Sequence, residues 1–182
     1  MTAREQEEYR ELRATIRERG TARLWTFLIG LSAWAGLTLA VLALASIPAA
    51  AILPLFVLAG TFEVVFALHV SVERIGRYIQ VFYEETDDSG RKWEHTAMAF
   101  GRALVGTGAD PLFAALFSLA ILFNFVTSVS AGATRVELGV TGAAHTLVLV
   151  RVISARRLAA RQRPADLERF RQIKSTLTHR TS

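Results

Sequence analysis

The sequence predicts an all-α fold, a polytopic membrane protein in which four transmembrane helices form a bundle. Hydrophobic residues make up 52% of the 182 positions, and they are gathered in blocks instead of being spread in amphipathic stripes. Residues 24–62 form a run of 39 positions without Asp, Glu, Lys or Arg, and residues 111–134 form a second run of 24. Because a helix needs about 20 residues to cross the hydrocarbon core, the first run is long enough for nearly two crossings and the second for one.

Four spans follow from these runs and from the breaks between them. The first run divides near residues 46–49, where Pro48 and Pro54 favour a turn. The third span opens at Pro111, directly after Asp110, a residue type that caps helices well. The predicted spans are residues 24–46, 49–71, 111–131 and 136–153.

The fourth predicted span is the shortest. The sequence SAGATR before it predicts a short turn. Its uncharged part, residues 138–150, covers only 13 positions, and Glu137 and Arg151 stand on either side of it. We therefore expect these two side chains to reach the two membrane interfaces.

Basic residues predict the orientation of the spans. Of the 21 Lys and Arg residues, only Arg135 falls in the two short turns. The positive-inside rule then predicts that both termini and the loop of residues 72–110 are cytoplasmic, in the cell (inner) membrane. The alternative, a signal peptide cleaved near Ala45, is less favoured, because a long charged segment precedes an apolar run that is longer than such peptides carry.

The chain divides by composition into three regions. Residues 151–182 carry nine basic and two acidic residues, whereas the other charged segments are nearly balanced. The three regions are a cytoplasmic amphipathic helix at residues 1–23, a four-span transmembrane domain at residues 24–153, and a basic cytoplasmic tail at residues 154–182.

Apolar stripes predict a helix in each terminal region. Near the N-terminus a stripe in a charged background ends before Gly20, which is expected to interrupt the helix. A similar stripe follows Pro164 in the tail. The two stripes are Tyr9, Leu12 and Ile16, and Leu167, Phe170, Ile173 and Leu177.

The end of the second span carries five ionisable residues within fifteen positions. Four of them form a polar stripe at the expected cytoplasmic mouth of the span, namely His69, Glu73, Arg74 and Arg77. An interfacial, structural role is the favoured interpretation of this stripe. Arg74 and Arg77 are expected to tolerate Lys, because headgroup phosphates accept either cation.

Glu63 is different, because a rise of 1.5 Å per residue places it ~21 Å into the span. An ionisable group there costs at least ~2.5–3.5 kcal/mol, so Glu63 is predicted to face the bundle and to have a polar partner. Asn124 and His145 lie at matching depths in the third and fourth spans, and one of them is the predicted partner. This intramembrane cluster is expected to join helices, and the alternative is a site for a proton or a polar ligand.

Few sequence motifs indicate catalysis or the binding of a metal or cofactor. The chain has 0 cysteines, which excludes disulfides, thiolate nucleophiles and Cys-ligated metals. His69 and His145 differ in height by ~15 Å, too far to ligate one haem iron. The sequence GRALVGTG lacks the Lys-Ser/Thr of a P-loop. We expect no cofactor, no bound metal and no enzyme activity, with one alternative, a metal site from His69, Glu73, Glu94 and His95.

The basic tail is expected to bind anionic lipid headgroups, because it begins directly at the end of a span. Proteins that bind single-stranded nucleic acid interleave aromatic side chains with basic ones, whereas Phe170 stands alone here, so no nucleic acid partner is expected. The predicted lipid-binding residues are Arg151, Arg156, Arg157, Arg161 and Arg163.

Small residues predict close helix packing, within the chain or with another subunit. They line the first span and the fourth, as Gly30, Ala33, Gly36, Ala40 and Ala43, and as Gly139, Gly142 and Ala143.

The function expected from these features is that of a scaffold or accessory subunit of a larger membrane complex, without catalytic activity of its own. Its expected partners are the lipid bilayer and either further copies of the chain or other membrane subunits. One alternative is a small transporter or proton-conducting module that uses Glu63, Asn124 and His145. A second alternative is an intramembrane enzyme or cofactor carrier.

Overall fold

The computed structural model describes residues 1–44, 48–85, 93–97 and 109–181. Helices account for nearly all of these residues, and the described segments contain no strand. Four helices are long and apolar enough to cross a membrane, which confirms the predicted all-helical chain and indicates a multi-pass membrane protein. We number the long helices α1 (Ala3–Leu44), α2 (Ile52–Ile79), α3 (Ala109–Ser130) and α4 (Arg135–Thr181).

Short helical turns flank α2. A 3-10 turn, Pro48–Ala51, precedes it, and a π-helical turn, Gln80–Glu84, continues it. The helix of the second span thus continues as far as Glu84. Residues 93–97 form one further helical turn. The glycines of GRALVGTG and the side chains of Asp110 and Arg156 lie outside the described part of the chain, so the predictions made for them stay predictions.

Capping boxes fix the starts of α1 and α4. At α1 the Thr2 N–H donates to the Glu5 carboxylate at 2.6 Å, which lowers the pKa of Glu5, and the Glu5 N–H donates to the Thr2 hydroxyl at 3.3 Å. At α4 the residues Thr134 and Glu137 exchange the same two bonds, at 2.8 and 3.3 Å. Between α3 and α4, Gly132 has a φ of 76°, a left-handed conformation that glycine adopts without strain.

Gly20 does not interrupt α1, so that prediction is wrong, and Pro164 lies inside α4. One glycine costs a helix only about 1 kcal/mol, and the residues around Gly20 are good helix formers. Proline removes one backbone hydrogen bond, but α4 is bound to α2 on both sides of Pro164, through Arg163 and through Asp166. The terminal amphipathic stripes are thus parts of longer helices.

The chain forms two compact units. One, which we call the apolar unit, consists of residues 23–67 and 108–156, and the other, the charged unit, consists of residues 1–22, 68–107 and 157–182. Phenylalanine rings lie at the centre of the core of the apolar unit. Phe117 of α3 lies edge-on to Phe27 of α1 at 5.6 Å and to Phe62 of α2 at 5.3 Å, so one ring joins three helices.

The surface of the apolar unit is rich in large apolar side chains. Trp25, Leu39, Phe56, Leu119 and Leu147 are all more than half exposed. Such a surface is unfavourable in water and ordinary in hydrocarbon, because lipid tails are as apolar as leucine. The burial pattern of this unit therefore agrees with its predicted place in a membrane.

Two glycines of α1 predict opposite effects of the same substitution. A Cβ atom at Gly30 would lie 2.7 Å from the Cβ of Thr61, whose position no side-chain rotation changes, whereas a Cβ at Gly36 would meet nothing within 4 Å. Gly30→Ala is expected to destabilise the fold by about 1–3 kcal/mol through overpacking. Gly36→Ala should be neutral or should stabilise it by up to about 1 kcal/mol through helix propensity. Thermal unfolding of both variants in detergent, followed by circular dichroism, measures the difference, and equal midpoints would contradict it.

Candidate functional site

Asn124 is the centre of a buried polar cluster in the apolar unit. It lies in the C-terminal half of α3 and is 0% exposed. Its amide nitrogen donates to the carbonyl of Ala51 at 2.8 Å and lies 2.9 Å from Nε2 of His145, and its oxygen accepts from Nε1 of Trp34 at 3.2 Å. One side chain thereby joins α3 to α1, to the 3-10 turn before α2, and to α4.

The hydrogen bonds of His145 determine its tautomer. Its Nδ1 lies 2.6 Å from the carbonyl oxygen of Thr141, which can only accept, so Nδ1 carries the proton. Its Nε2 then offers a lone pair, and the Asn124 amide donates to it. The geometry fits a neutral imidazole with both nitrogens occupied. We assign the proton from the hydrogen-bond pattern.

Hydroxyl groups accompany this cluster. Thr38 donates to the carbonyl of Trp34 at 2.7 Å, and Thr127 donates to that of Asn124 at 2.7 Å. These bonds stay within one helix and satisfy the buried hydroxyls. Ser128 is fully buried, and its Oγ has no hydrogen-bond partner among the described residues.

Glu63 does not belong to this cluster, so the predicted partnership with Asn124 or His145 is wrong. Its carboxylate binds Arg151 through two bonds, Nε to Oε1 and Nη2 to Oε2, each 2.8 Å long. The prediction that Glu63 faces the bundle is also wrong, because its side chain is 49% exposed. The residue number predicts how far Glu63 lies along its helix, but it does not predict which neighbouring helix its side chain faces.

A half-open pocket of about 270 Å³ lies between α3 and α4, beside His145. Its walls are mainly apolar, and both imidazole nitrogens are already bound elsewhere. The pocket therefore suits a hydrocarbon group better than a polar ligand. It is lined by Ile121, Leu122, Phe125, Gly142, His145, Thr146 and Leu149.

Arg77 is the centre of a second cluster, in the charged unit. Its side chain is only 1% exposed, and its guanidinium binds Asp166 at 2.6 Å and also Glu73. Glu73 in turn accepts from Arg163 at 2.9 Å. The expected contact of Arg77 with lipid phosphate is therefore wrong, because two carboxylates surround this guanidinium inside the unit.

The rest of the polar stripe lies around the same carboxylates. Nε2 of His69 lies 3.8 Å from Glu73, and Nε of Arg74, which is largely exposed, lies 3.7 Å from Asp166. Asp166 and Arg163 were not predicted to meet this stripe. Their spacing of three residues places both on one face of α4, which was the available signal.

Three of the four residues of the alternative metal site, Glu73, Glu94 and His95, bind partners outside that set. Glu84, which is buried, accepts from the backbone N–H groups of Glu94 and His95 and lies 3.0 Å from Nδ1 of His95. Glu94 binds Arg13 at 2.7 Å. Among the described residues no group of three or more His, Asp or Glu side chains could hold a metal ion.

Two of the predicted lipid-binding residues are engaged within the chain. Arg151 binds Glu63, and Arg163 binds Glu73. Arg157 and Arg161 are exposed on α4. Headgroup binding by the described arginines of this set stays a prediction.

Comparisons with protein-family models, curated proteins and solved structures found no match to this chain.

The Asn124 cluster predicts a large effect of one small substitution. Asn124→Ala leaves the Ala51 carbonyl and the Trp34 N–H without their partner inside the apolar unit, so the variant should lose about 1–3 kcal/mol of stability. Ser130→Ala is the matched control, because Ser130 is exposed on the same helix and bonds only its own backbone. Thermal unfolding in detergent measures both. A midpoint for Asn124→Ala equal to that of the control would show that the cluster does not hold the helices.

The Arg77 cluster predicts that two neighbouring arginines differ in their tolerance of lysine. Lysine offers one nitrogen where Arg77 places two on separate carboxylates, so Arg77→Lys should cost about 1.5–3 kcal/mol. Arg74→Lys should be nearly neutral, because Arg74 is largely exposed. Unfolding midpoints of the two variants test this, and equal losses would count against the cluster as the reason.

Proposed function

We propose that this chain is a non-catalytic scaffold or accessory subunit of a larger membrane complex. The hydrogen bonds of Asn124 support a structural role for the polar groups of the spans. Both of its N–H groups and its oxygen are used within the chain, and both nitrogens of His145 are also bound. Side chains engaged in this way join helices and leave little capacity to exchange protons or bind a polar substrate.

The observation that carries the proposal is an open face of small residues on α1. Ser32, Gly36 and Ala40 are spaced four residues apart, which places them on one side of the helix, and all three are exposed. Gly30 packs against Thr61 within the chain, whereas no atom of the described residues lies within 4 Å of a Cβ placed at Gly36. Small residues at this spacing let two membrane helices approach closely, so we assign this face to a helix of another subunit.

The proposed setting is the cell (inner) membrane, with both termini in the cytoplasm. The concentration of basic residues at the ends of the chain and in residues 72–110 supports this orientation. Arg157 and Arg161 would then lie beside anionic headgroups, each contributing about 1 kcal/mol near the surface.

A small transporter or proton-conducting module is the second candidate. The pocket beside His145 favours it, and so does the hydroxyl of Ser128, which has no partner among the described residues. It is less supported, because Glu63 lies outside the cluster and the described bonds of His145 occupy both nitrogens.

Purification from native membranes tests the proposed function. The tagged chain, extracted in a mild detergent, should bring a fixed set of membrane proteins with it. Gly36→Leu fills the open face and should lose that set, because the partner helix can no longer approach. Ala35→Leu adds a leucine at an exposed position of α1 that lies 100° away, and it should keep the set. A chain that purifies without other proteins, or a Gly36→Leu variant with unchanged partners, would overturn the proposal.

A further inference from the structure

Glu63 and Arg151 form an ion pair on the surface of the apolar unit. Their two parallel bonds are each 2.8 Å long, and their side chains remain 49% and 38% exposed. On one side the guanidinium lies over the rings of Phe66, at 5.1 Å, and Phe62, at 5.7 Å. Among the described residues nothing else is bound to the pair, and Nη1 of Arg151 has no described acceptor.

The depth of this pair makes its exposure costly. On the predicted spans, Glu63 lies ~21 Å from the outer end of its helix, within a hydrocarbon core of ~30 Å, and Arg151, near the inner end of the fourth span, is bound to it. A charged group at such depth is unfavourable unless a polar partner or water reaches it. Each charge has the other as a polar partner, and a further polar contact would cover the exposed side of the pair better than lipid tails do.

The signs of the two charges select the partner. A lipid phosphate attracted by Arg151 would also meet the carboxylate of Glu63, and the pair as a whole carries no net charge. A surface with one positive and one negative group side by side is complementary to itself after a two-fold rotation. The partner that fits this surface without further assumptions is a second copy of the same chain.

The surface beside Glu63 has the shape for such a contact. Gly60 lies one turn before Glu63 on α2 and is exposed, and a Cβ atom there would meet no atom of the described part of the chain within 4 Å. Phe56 and Val64 are exposed on the same side of the helix. A notch between larger apolar side chains lets a second backbone approach near the charges.

We propose that Glu63 and Arg151 form the centre of a two-fold interface between two copies of this chain within the membrane. The Glu63 carboxylate of each copy binds the Arg151 guanidinium of the other, and the four charges form a closed ring. The inference rests on the proposed role as a membrane subunit and specifies one of its contacts, on a face different from that of Gly36.

Cross-linking tests the position of the interface. The chain contains 0 cysteines, so every cross-link must involve the introduced cysteine. Gly60→Cys, treated in native membranes with a short bismaleimide, should give a covalent dimer. Leu119→Cys is the control on α3, exposed but outside the proposed interface, and it should stay monomeric. A monomeric Gly60→Cys chain, or equal cross-linking of the two variants, contradicts the proposal.

Charge reversal tests the chemistry of the interface. Glu63→Arg gives a surface with two positive groups and Arg151→Glu gives one with two negative groups, so each variant alone should dimerise at least about tenfold less well. Co-expressed, the two variants should form a mixed dimer, because their surfaces attract each other. A pair that acts only within its own chain predicts no such recovery, and its absence would refute the interface.

Two further outcomes keep this inference separate from the proposed function. Wild-type chains that are monomeric by native mass spectrometry but retain a phospholipid that Arg151→Glu loses would overturn the dimer in favour of a lipid. Loss of other partner proteins in Gly36→Leu, with the Gly60→Cys cross-link intact, would leave the dimer standing. The two faces are thus tested by independent measurements.

Discussion

The apolar unit depends on the side-chain amide of one residue, Asn124. Hydrocarbon surrounds its helices, so burial of leucine against leucine gains little over contact with lipid, and packing and hydrogen bonds must fix the helix pairs. The two N–H groups of the amide donate to Ala51 and His145, and its oxygen accepts from Trp34. These three partners belong to three different elements, so a shift or rotation of any one of them would leave a buried polar group without a bond. An apolar residue in the same place would permit many neighbouring arrangements of the helices.

In the charged unit the arrangement of the helices is fixed by the ion pairs of Arg77. A buried guanidinium is costly to remove from water, and only paired carboxylates with good geometry compensate for it. Glu73 comes from the same helix, one turn earlier, and Asp166 comes from α4, so Arg77 stabilises α2 locally and sets its register against α4. Arg163 binds the second oxygen of Glu73 and extends the network along α4. Planar donors that point in two directions are required here, which distinguishes this site from an arginine at a lipid surface.

The spans could be predicted from sequence because their signal is long and depends on composition alone, as the runs at residues 24–62 and 111–134 show. Depth along a helix could also be predicted, since a constant rise converts residue number into height; Asn124 and His145 were expected at one level and do meet. The partner of Glu63 could not be predicted in this way. Two residues at one height can lie on opposite sides of a unit, and only the register of α2 against α4 brings Arg151 to Glu63. Arg151 and Arg163 were attributed to lipid for the same reason, because a basic residue near the end of a span has the same sequence pattern whether its partner is a phosphate or a carboxylate of its own chain.

Polar and small residues in this chain fall into two classes according to whether the chain itself uses them. Thr61 packs against Gly30, and three partners form hydrogen bonds with Asn124. Gly36 has no described neighbour within 4 Å, and the side chains of the Glu63–Arg151 pair are 49% and 38% exposed. In a membrane such a difference has an energetic meaning, because neither an open glycine groove nor an uncovered charge pair gains anything from lipid tails. The residue types are the same inside and outside, so composition alone cannot separate the two classes. Exposure separates them, and it identifies two faces of the apolar unit, the small residues around Gly36 and the ion pair of Glu63 and Arg151.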